Sequence, residues 1–174
     1  IYSEMISNIE RDSQSAGKYY HMVRLMGRTA SNVLLECVLQ THPNLAFISE
    51  EVLEKKFSLQ DIVDQMVFLV EKRQKKGLNH GVIVFSEGLV EHIPEMRSLI
   101  EELNDLLSEN KTSEDLSPTH KKLFNSLPKD FQMQLLKDRD AHGNVQVSKI
   151  EMEKLLSSLV EEKCSKKPQI VHHF

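Results

Sequence analysis

Gly27-Arg28 sets a permissive glycine and a guanidinium at the end of a strand-like run and ahead of a helix-like one. Exposed helix-start N–H groups beside an arginine suit a phosphate or a sugar phosphate. The same dipeptide is also a tight turn with a surface arginine, and on pattern alone that plainer reading comes first. Ser86-Glu87-Gly88 closes a second apolar run. A carboxylate there can accept hydrogen bonds from sugar hydroxyls while Gly88 lets the backbone come close; the alternative is a turn with an exposed glutamate. Lys18 and Tyr19 open the first run, where a tyrosine is most often core or edge filling.

Other chemistry is thinner. The histidines at 21, 42, 80, 92, 120, 142, 172 and 173 form neither an HExxH pair nor a Cys/His ligand spacing, so no metal site is expected from this chain. Asp138-Arg139-Asp140 with His142 brings acid–base groups together, but Asp and Gly in this order read as a capped turn. Cys37 and Cys164 lack a neighbour that would activate a thiol, and two cysteines suit a reducing compartment rather than a disulfide framework. A Walker-type glycine loop for nucleotide phosphates is missing.

Alternating elements must position these residues. A polar helix with apolar spacing over 2–14 stops at Ala16-Gly17, and residues 19–26 read as a strand closed by Gly27. Ala30, Val33, Leu34, Cys37 and Val38 follow helical spacing up to the breaker Thr41-His42-Pro43-Asn44. Leu45-Ala46-Phe47-Ile48 is a short buried-strand candidate. Ser58 caps an amphipathic helix with Leu59, Ile62, Val63, Met66, Leu69 and Val70 on one face. Residues 81–85 are apolar throughout, the pattern of a strand buried on both faces of a parallel sheet. Pro94 opens another helix, with Leu99, Ile100, Leu103, Leu106 and Leu107 inward. The alternation predicts βαβ units and an α/β, Rossmann-like parallel sheet. Ligands gather at the carboxyl ends of such strands. Met26-Gly27-Arg28, Ser49-Glu50-Glu51 and Ser86-Glu87-Gly88 then share one rim.

Residues 1–107 thus read as an α/β lobe, 108–117 as a polar linker, and 118–174 as a C-terminal helical subdomain. That last part has short helices near Pro118 and Pro128, a turn at 140–144 and a final helix opened by a Ser148/Glu151 capping box. Met152, Leu155, Leu156, Leu159 and Val160 form its apolar stripe. The 174 residues carry 22 Lys+Arg against 26 Asp+Glu, with 40% apolar and 28% charged residues, enough for a core and far from disorder. A net charge of −4 gives no electrostatic reason to bind nucleic acid or an anionic membrane surface. Nor does any apolar run reach the ~18–20 residues of a membrane helix. The chain opens at Ile1 without an initiator Met and reads as a piece of a longer, cytoplasmic polypeptide.

The run from Asp12 to Ser31, with Lys18-Tyr19-Tyr20 leading into Met26-Gly27-Arg28, closely resembles the pyrophosphate-dependent 6-phosphofructokinases of the long plant and protist type. The likeness continues through Leu35-Glu36, Gln40-Thr41-His42-Pro43-Asn44, Glu50-Glu51-Val52, Gly81-Val82-Ile83 and Glu87-Gly88-Leu89. Later it takes in Leu135-Leu136, Asp138-Arg139-Asp140 and His142-Gly143-Asn144-Val145-Gln146. It covers nearly the whole chain.

This resemblance implies the phosphofructokinase fold and a magnesium-dependent transfer of phosphoryl from pyrophosphate to the 1-hydroxyl of fructose 6-phosphate, a step of glycolysis. It implies that Met26, Gly27 and Arg28 line the fructose 6-phosphate site, with Arg28 also the catalytic residue near the transferring group. Glu87 would bind a sugar hydroxyl, and Lys18 and Tyr19 would reach across a dimer interface into a neighbour's site in a homo- or hetero-oligomer. The family's glycine-rich diphosphate segment and its Thr-Ile-Asp stretch with the catalytic base are not among these residues. Pyrophosphate and Mg2+ would therefore be held by another lobe, and this piece should not turn over alone. Ser86 stands where the family usually has proline, which is expected to loosen the turn that aims Glu87. Two alternatives remain: a non-catalytic regulatory half or subunit of the same enzyme, and a non-enzymatic interaction module docking through the stripe from Met152 to Val160.

Overall fold

A computed structural model describes residues 1–27, 31–137, 139–140 and 142–173. The elements are α1 (Tyr2–Ala16), β1 (Tyr19–Leu25), α2 (Asn32–Thr41), β2 (Leu45–Phe47), α3 (Ser49–Glu54), α4 (Leu59–Gln74) and β3 (Gly81–Ser86). They continue with α5 (Leu89–His92), α6 (Pro94–Ser108), α7 (Pro118–Ser126), α8 (Lys129–Lys137), α9 (Met152–Lys163) and β4 (Gln169–His173). The four strands form one sheet in the order β2-β3-β1-β4, every pair parallel. This is the α/β architecture expected from the alternation.

Local chemistry explains the boundaries. At Gly17, φ is 65°, and its N–H donates to the Ser13 carbonyl at 2.9 Å to close α1. Helix α4 starts where the Ser58 N–H donates to Asp61 Oδ2 at 2.8 Å and the Asp61 N–H donates to Ser58 Oγ at 3.1 Å. That reciprocal pair satisfies two of the helix-start donors. Ser58→Ala should therefore cost about 1 kcal/mol of stability. Thermal unfolding measures it, and an unchanged melting temperature would contradict the capping role.

The strands divide their side chains between two layers. Tyr20, Met22, Ile83 and Phe85 face the large core beneath α4, α6 and α9, whereas Val23, Leu25, Val82 and Val84 face Ile6, Leu34 and Cys37 of α1 and α2. β3 is buried along its whole length, as its unbroken apolar run requires. In α2 the inward face is Leu34 and Cys37, and Val33, expected to point inward, is 44% exposed.

The C-terminal part departs from its sequence reading in two ways. First, residues 169–173 join the sheet: β4 pairs with β1 from Tyr19↔Gln169 to Val23↔His173. His21 and His173 stack there with Nδ1 and Nε2 2.8 Å apart. Burial, and secondarily a neighbouring imidazole, pushes both below the usual histidine range, which suits a neutral pair sharing one proton. Second, α9 is not opened by a Ser148/Glu151 box. Ser148 lies in a 3-10 turn at Val147–Lys149, and Glu151 instead exchanges hydrogen bonds with Gln134 of α8 at 2.9 and 3.2 Å.

The apolar stripe of α9 lies in the large core, with Met152, Leu155, Leu156 and Val160 buried and Leu159 packed against them. It is therefore spent on the sheet and does not offer a docking face for a partner. Segment 108–117 is tied down too, by buried Leu116 and by Ser117, whose N–H donates to Glu102 Oε1 at 2.7 Å. Among the described residues, no helix is long and apolar enough to cross a membrane.

Candidate functional site

The carboxyl ends of β1 and β3 lie side by side, because Leu25 pairs with Ser86 and the ladder runs on one step further. That step is the Glu87 N–H donating to the Leu25 carbonyl at 2.8 Å. Met26-Gly27 and Glu87-Gly88 are thereby adjacent on the rim where ligands of parallel sheets gather. Gly27 has φ 133°, a conformation that a side chain would disfavour, so the turn after β1 depends on glycine. Met26 is 71% exposed, with the Tyr2 hydroxyl donating to its sulfur at 3.8 Å. Glu87 is half-buried at the strand end, and Gly88 is buried behind it. Its carbonyl meets His92 Nδ1 at 2.8 Å, which fixes the start of α5.

The third loop of the rim, after β2, is tied to both neighbours. The Ser49 N–H donates to Ser31 Oγ at 3.2 Å, and the Ser31 N–H donates to Glu50 Oε1 at 2.9 Å. That Ser31 N–H is the main reason the Glu50 carboxyl sits below its ordinary range. The hydroxyls of Ser49 and Ser86 are hydrogen-bonded to each other. The turn expected to loosen without proline is thus held by a buried hydroxyl pair instead.

The structure does not bring every candidate together. Arg28 lies outside the described residues. Lys18 and Tyr19 sit at the opposite, amino-terminal end of β1, which at about 3.3 Å per residue is roughly 20 Å from Met26. Both side chains are exposed there, and Lys18 borders a cavity of about 260 Å³ that Lys166 and Lys167 also line. Within one chain these two residues cannot share a ligand with Glu87.

The polar cluster around Asp140 closes a turn. Asp140 Oδ1 accepts from the His142 and Asn144 N–H groups at 2.9 Å each. Arg139 donates to Asn104 Oδ1 and the Leu135 carbonyl at 2.8 Å each. That is the capped turn read from the sequence; Asp138 lies outside the described residues. Cys37 and Cys164 are buried free thiols, and burial pushes Cys164 up, away from the reactive thiolate. Among the described residues, no three His, Cys, Asp or Glu side chains group as metal ligands.

One interaction that the sequence reading passed over supports the rim from below. Arg24 of β1 donates from Nη1 to the Ile150 carbonyl at 2.6 Å, and its Nε lies 3.3 Å from Glu153 Oε2. The Glu153 side chain is 2% exposed. It lies in the first turn of α9, where the helix dipole favours a carboxylate. An arginine inside a strand at the position facing the core is its one local signal, but its partner is 129 positions away and shares no pattern with it.

No family model matches the chain. It is 50% identical over 173 residues to "Pyrophosphate--fructose 6-phosphate 1-phosphotransferase subunit beta 2" of Arabidopsis thaliana, covering 96% of this chain and 30% of that protein. "Pyrophosphate--fructose 6-phosphate 1-phosphotransferase" of Porphyromonas gingivalis is 45% identical over 177 residues, 94% of this chain and 32% of the relative. The Solanum tuberosum subunit alpha is 44% identical over 171 residues, 96% of this chain and 28% of the relative. The chain spans about 30% of the length of the curated relatives it matches. Across almost all of its own length it is a homologue of one segment of proteins so named.

Proposed function

We propose that this chain is the fructose 6-phosphate-binding portion of a pyrophosphate-dependent 6-phosphofructokinase. The observation that carries the reading is identity of 45–50% over 94–96% of the chain to proteins named for that reaction. The shared rim of Met26-Gly27 and Glu87-Gly88 supports it, since sugar phosphates bind where loops converge at strand ends. In the reaction, the 1-hydroxyl oxygen of the sugar forms a bond to a phosphorus of pyrophosphate. The bridging P–O bond breaks, phosphate leaves, and the hydroxyl proton passes to a base. Such transfers depend on positioning and on positive charge around the equatorial oxygens.

Each residue here has a limited task. Arg28 neutralises charge on the transferring group and on the sugar phosphate, Glu87 accepts a hydrogen bond from a sugar hydroxyl, and Met26 walls the site. Gly27 lets the backbone approach the ligand. The base, the pyrophosphate site and the carboxylates for magnesium belong to other parts of the polypeptide. Lys18 and Tyr19 serve the site of a neighbouring copy, a reading supported by their distance from Glu87 and by relatives named as alpha and beta subunits. The setting is cytoplasmic glycolysis.

Steady-state assay of the complete polypeptide with pyrophosphate and fructose 6-phosphate tests this. Glu87→Ala is expected to raise the KM for fructose 6-phosphate by roughly 10- to 100-fold, the equivalent of one charged hydrogen bond. No turnover by the unmodified protein would favour the regulatory-subunit alternative. An unchanged KM would remove Glu87 from the site.

A further inference from the structure

Ser49 and Ser86 share a hydroxyl–hydroxyl hydrogen bond that joins the loop after β2 to the end of β3. Both are almost wholly enclosed, 2% and 3% exposed. With the Ser49 N–H on Ser31 Oγ and the Ser31 N–H on Glu50 Oε1, the bond completes a chain of contacts through the loops that follow β1, β2 and β3. Its last member, Ser86, is bonded covalently to Glu87. The Glu87 N–H is in turn fastened to the Leu25 carbonyl, one residue before Met26.

A buried hydroxyl without a partner is costly, so each of these serines dictates where the other can sit. A proline at position 86 would stiffen the turn by fixing φ, but it has no hydroxyl for Ser49. The two solutions are therefore exclusive, and this chain uses the hydrogen bond. We propose that Ser49 and Ser86 are a coupled pair of positioning residues that set the aim of Glu87 toward a sugar hydroxyl. This rests on the reading of Glu87 as a fructose 6-phosphate ligand. Neither serine touches the substrate; both act through the strand end that carries Glu87, as a supporting shell does for a binding group.

The test is the steady-state kinetics of Ser49→Ala, Ser86→Ala and the double variant in the complete polypeptide, with melting temperatures alongside. Each single variant is expected to raise the KM for fructose 6-phosphate about 3- to 10-fold while the KM for pyrophosphate holds. The double variant should be no worse than either single one, because the bond is lost only once. Ser86→Pro alone should be impaired, and adding Ser49→Ala should restore it by removing the stranded hydroxyl. Lower melting temperatures with an unchanged KM for fructose 6-phosphate would overturn the proposal and leave the pair as packing. Failure of the unmodified protein to turn over fructose 6-phosphate would overturn the proposed function, and this pairing with it.

Discussion

Arg24→Met is expected to destabilise the fold by about 3–5 kcal/mol, the usual result of removing one partner from a buried ion pair. The Glu153 carboxylate would remain enclosed in the core without the guanidinium that faces it at 3.3 Å. The Ile150 carbonyl would also lose the Arg24 donor at 2.6 Å, keeping the Met152 N–H at 3.0 Å. Those two contacts fasten the start of α9 to the carboxyl end of β1, so the loss should fall on the attachment of the C-terminal helix to the sheet. Combining Arg24→Met with Glu153→Leu should recover much of the stability, since an apolar pair of similar volume often replaces a buried ion pair at little cost. Urea unfolding of the single and double variants measures both effects. A single variant that loses less than about 1 kcal/mol would mean the pair behaves like a surface ion pair.

Arg28→Ala is expected to lower kcat/KM for fructose 6-phosphate by about 100- to 1000-fold in the complete polypeptide, the range for removing one preorganised donor from a transition state. Phosphoryl transfer spreads charge over three equatorial oxygens, and a guanidinium meets two of them at once. Arg28→Lys keeps the charge but not the fork, so it should recover only part of the loss. If alanine changes kcat/KM by no more than about 3-fold, Arg28 is the surface arginine of a tight turn, the plainer reading of Gly27-Arg28.

Much of the fold was legible because its signals are local. The left-handed stop at Gly17, the Ser58 cap, the apolar run of β3 and Pro94 at the start of α6 each act within a few residues. The placement of Met26 and Glu87 on one rim followed from strand alternation and needed no knowledge of any side-chain contact. β4 was not legible: Gln169–His173 is short and half polar, and its strand character comes from pairing with β1 through the His21–His173 contact. Ser148/Glu151 has the letters of a capping box, yet Gln134 from α8 claims Glu151. The Ser86 departure read as a weakness because its partner, Ser49, is 37 positions away.

By itself, then, the amino-acid order determined the longer helices, three of the four strands, the rim on which Met26 and Glu87 meet, and the likeness that supplies the functional reading. These rest on periodicity, caps and turns, whose free energies depend on near neighbours. Tertiary structure alone decided that the chain's last strand would border β1 and that Arg24 would meet Glu153. It also decided that two serines would hold the turn bearing Glu87. Buried polar groups must find partners wherever the fold brings them, and no local pattern records which partner that will be.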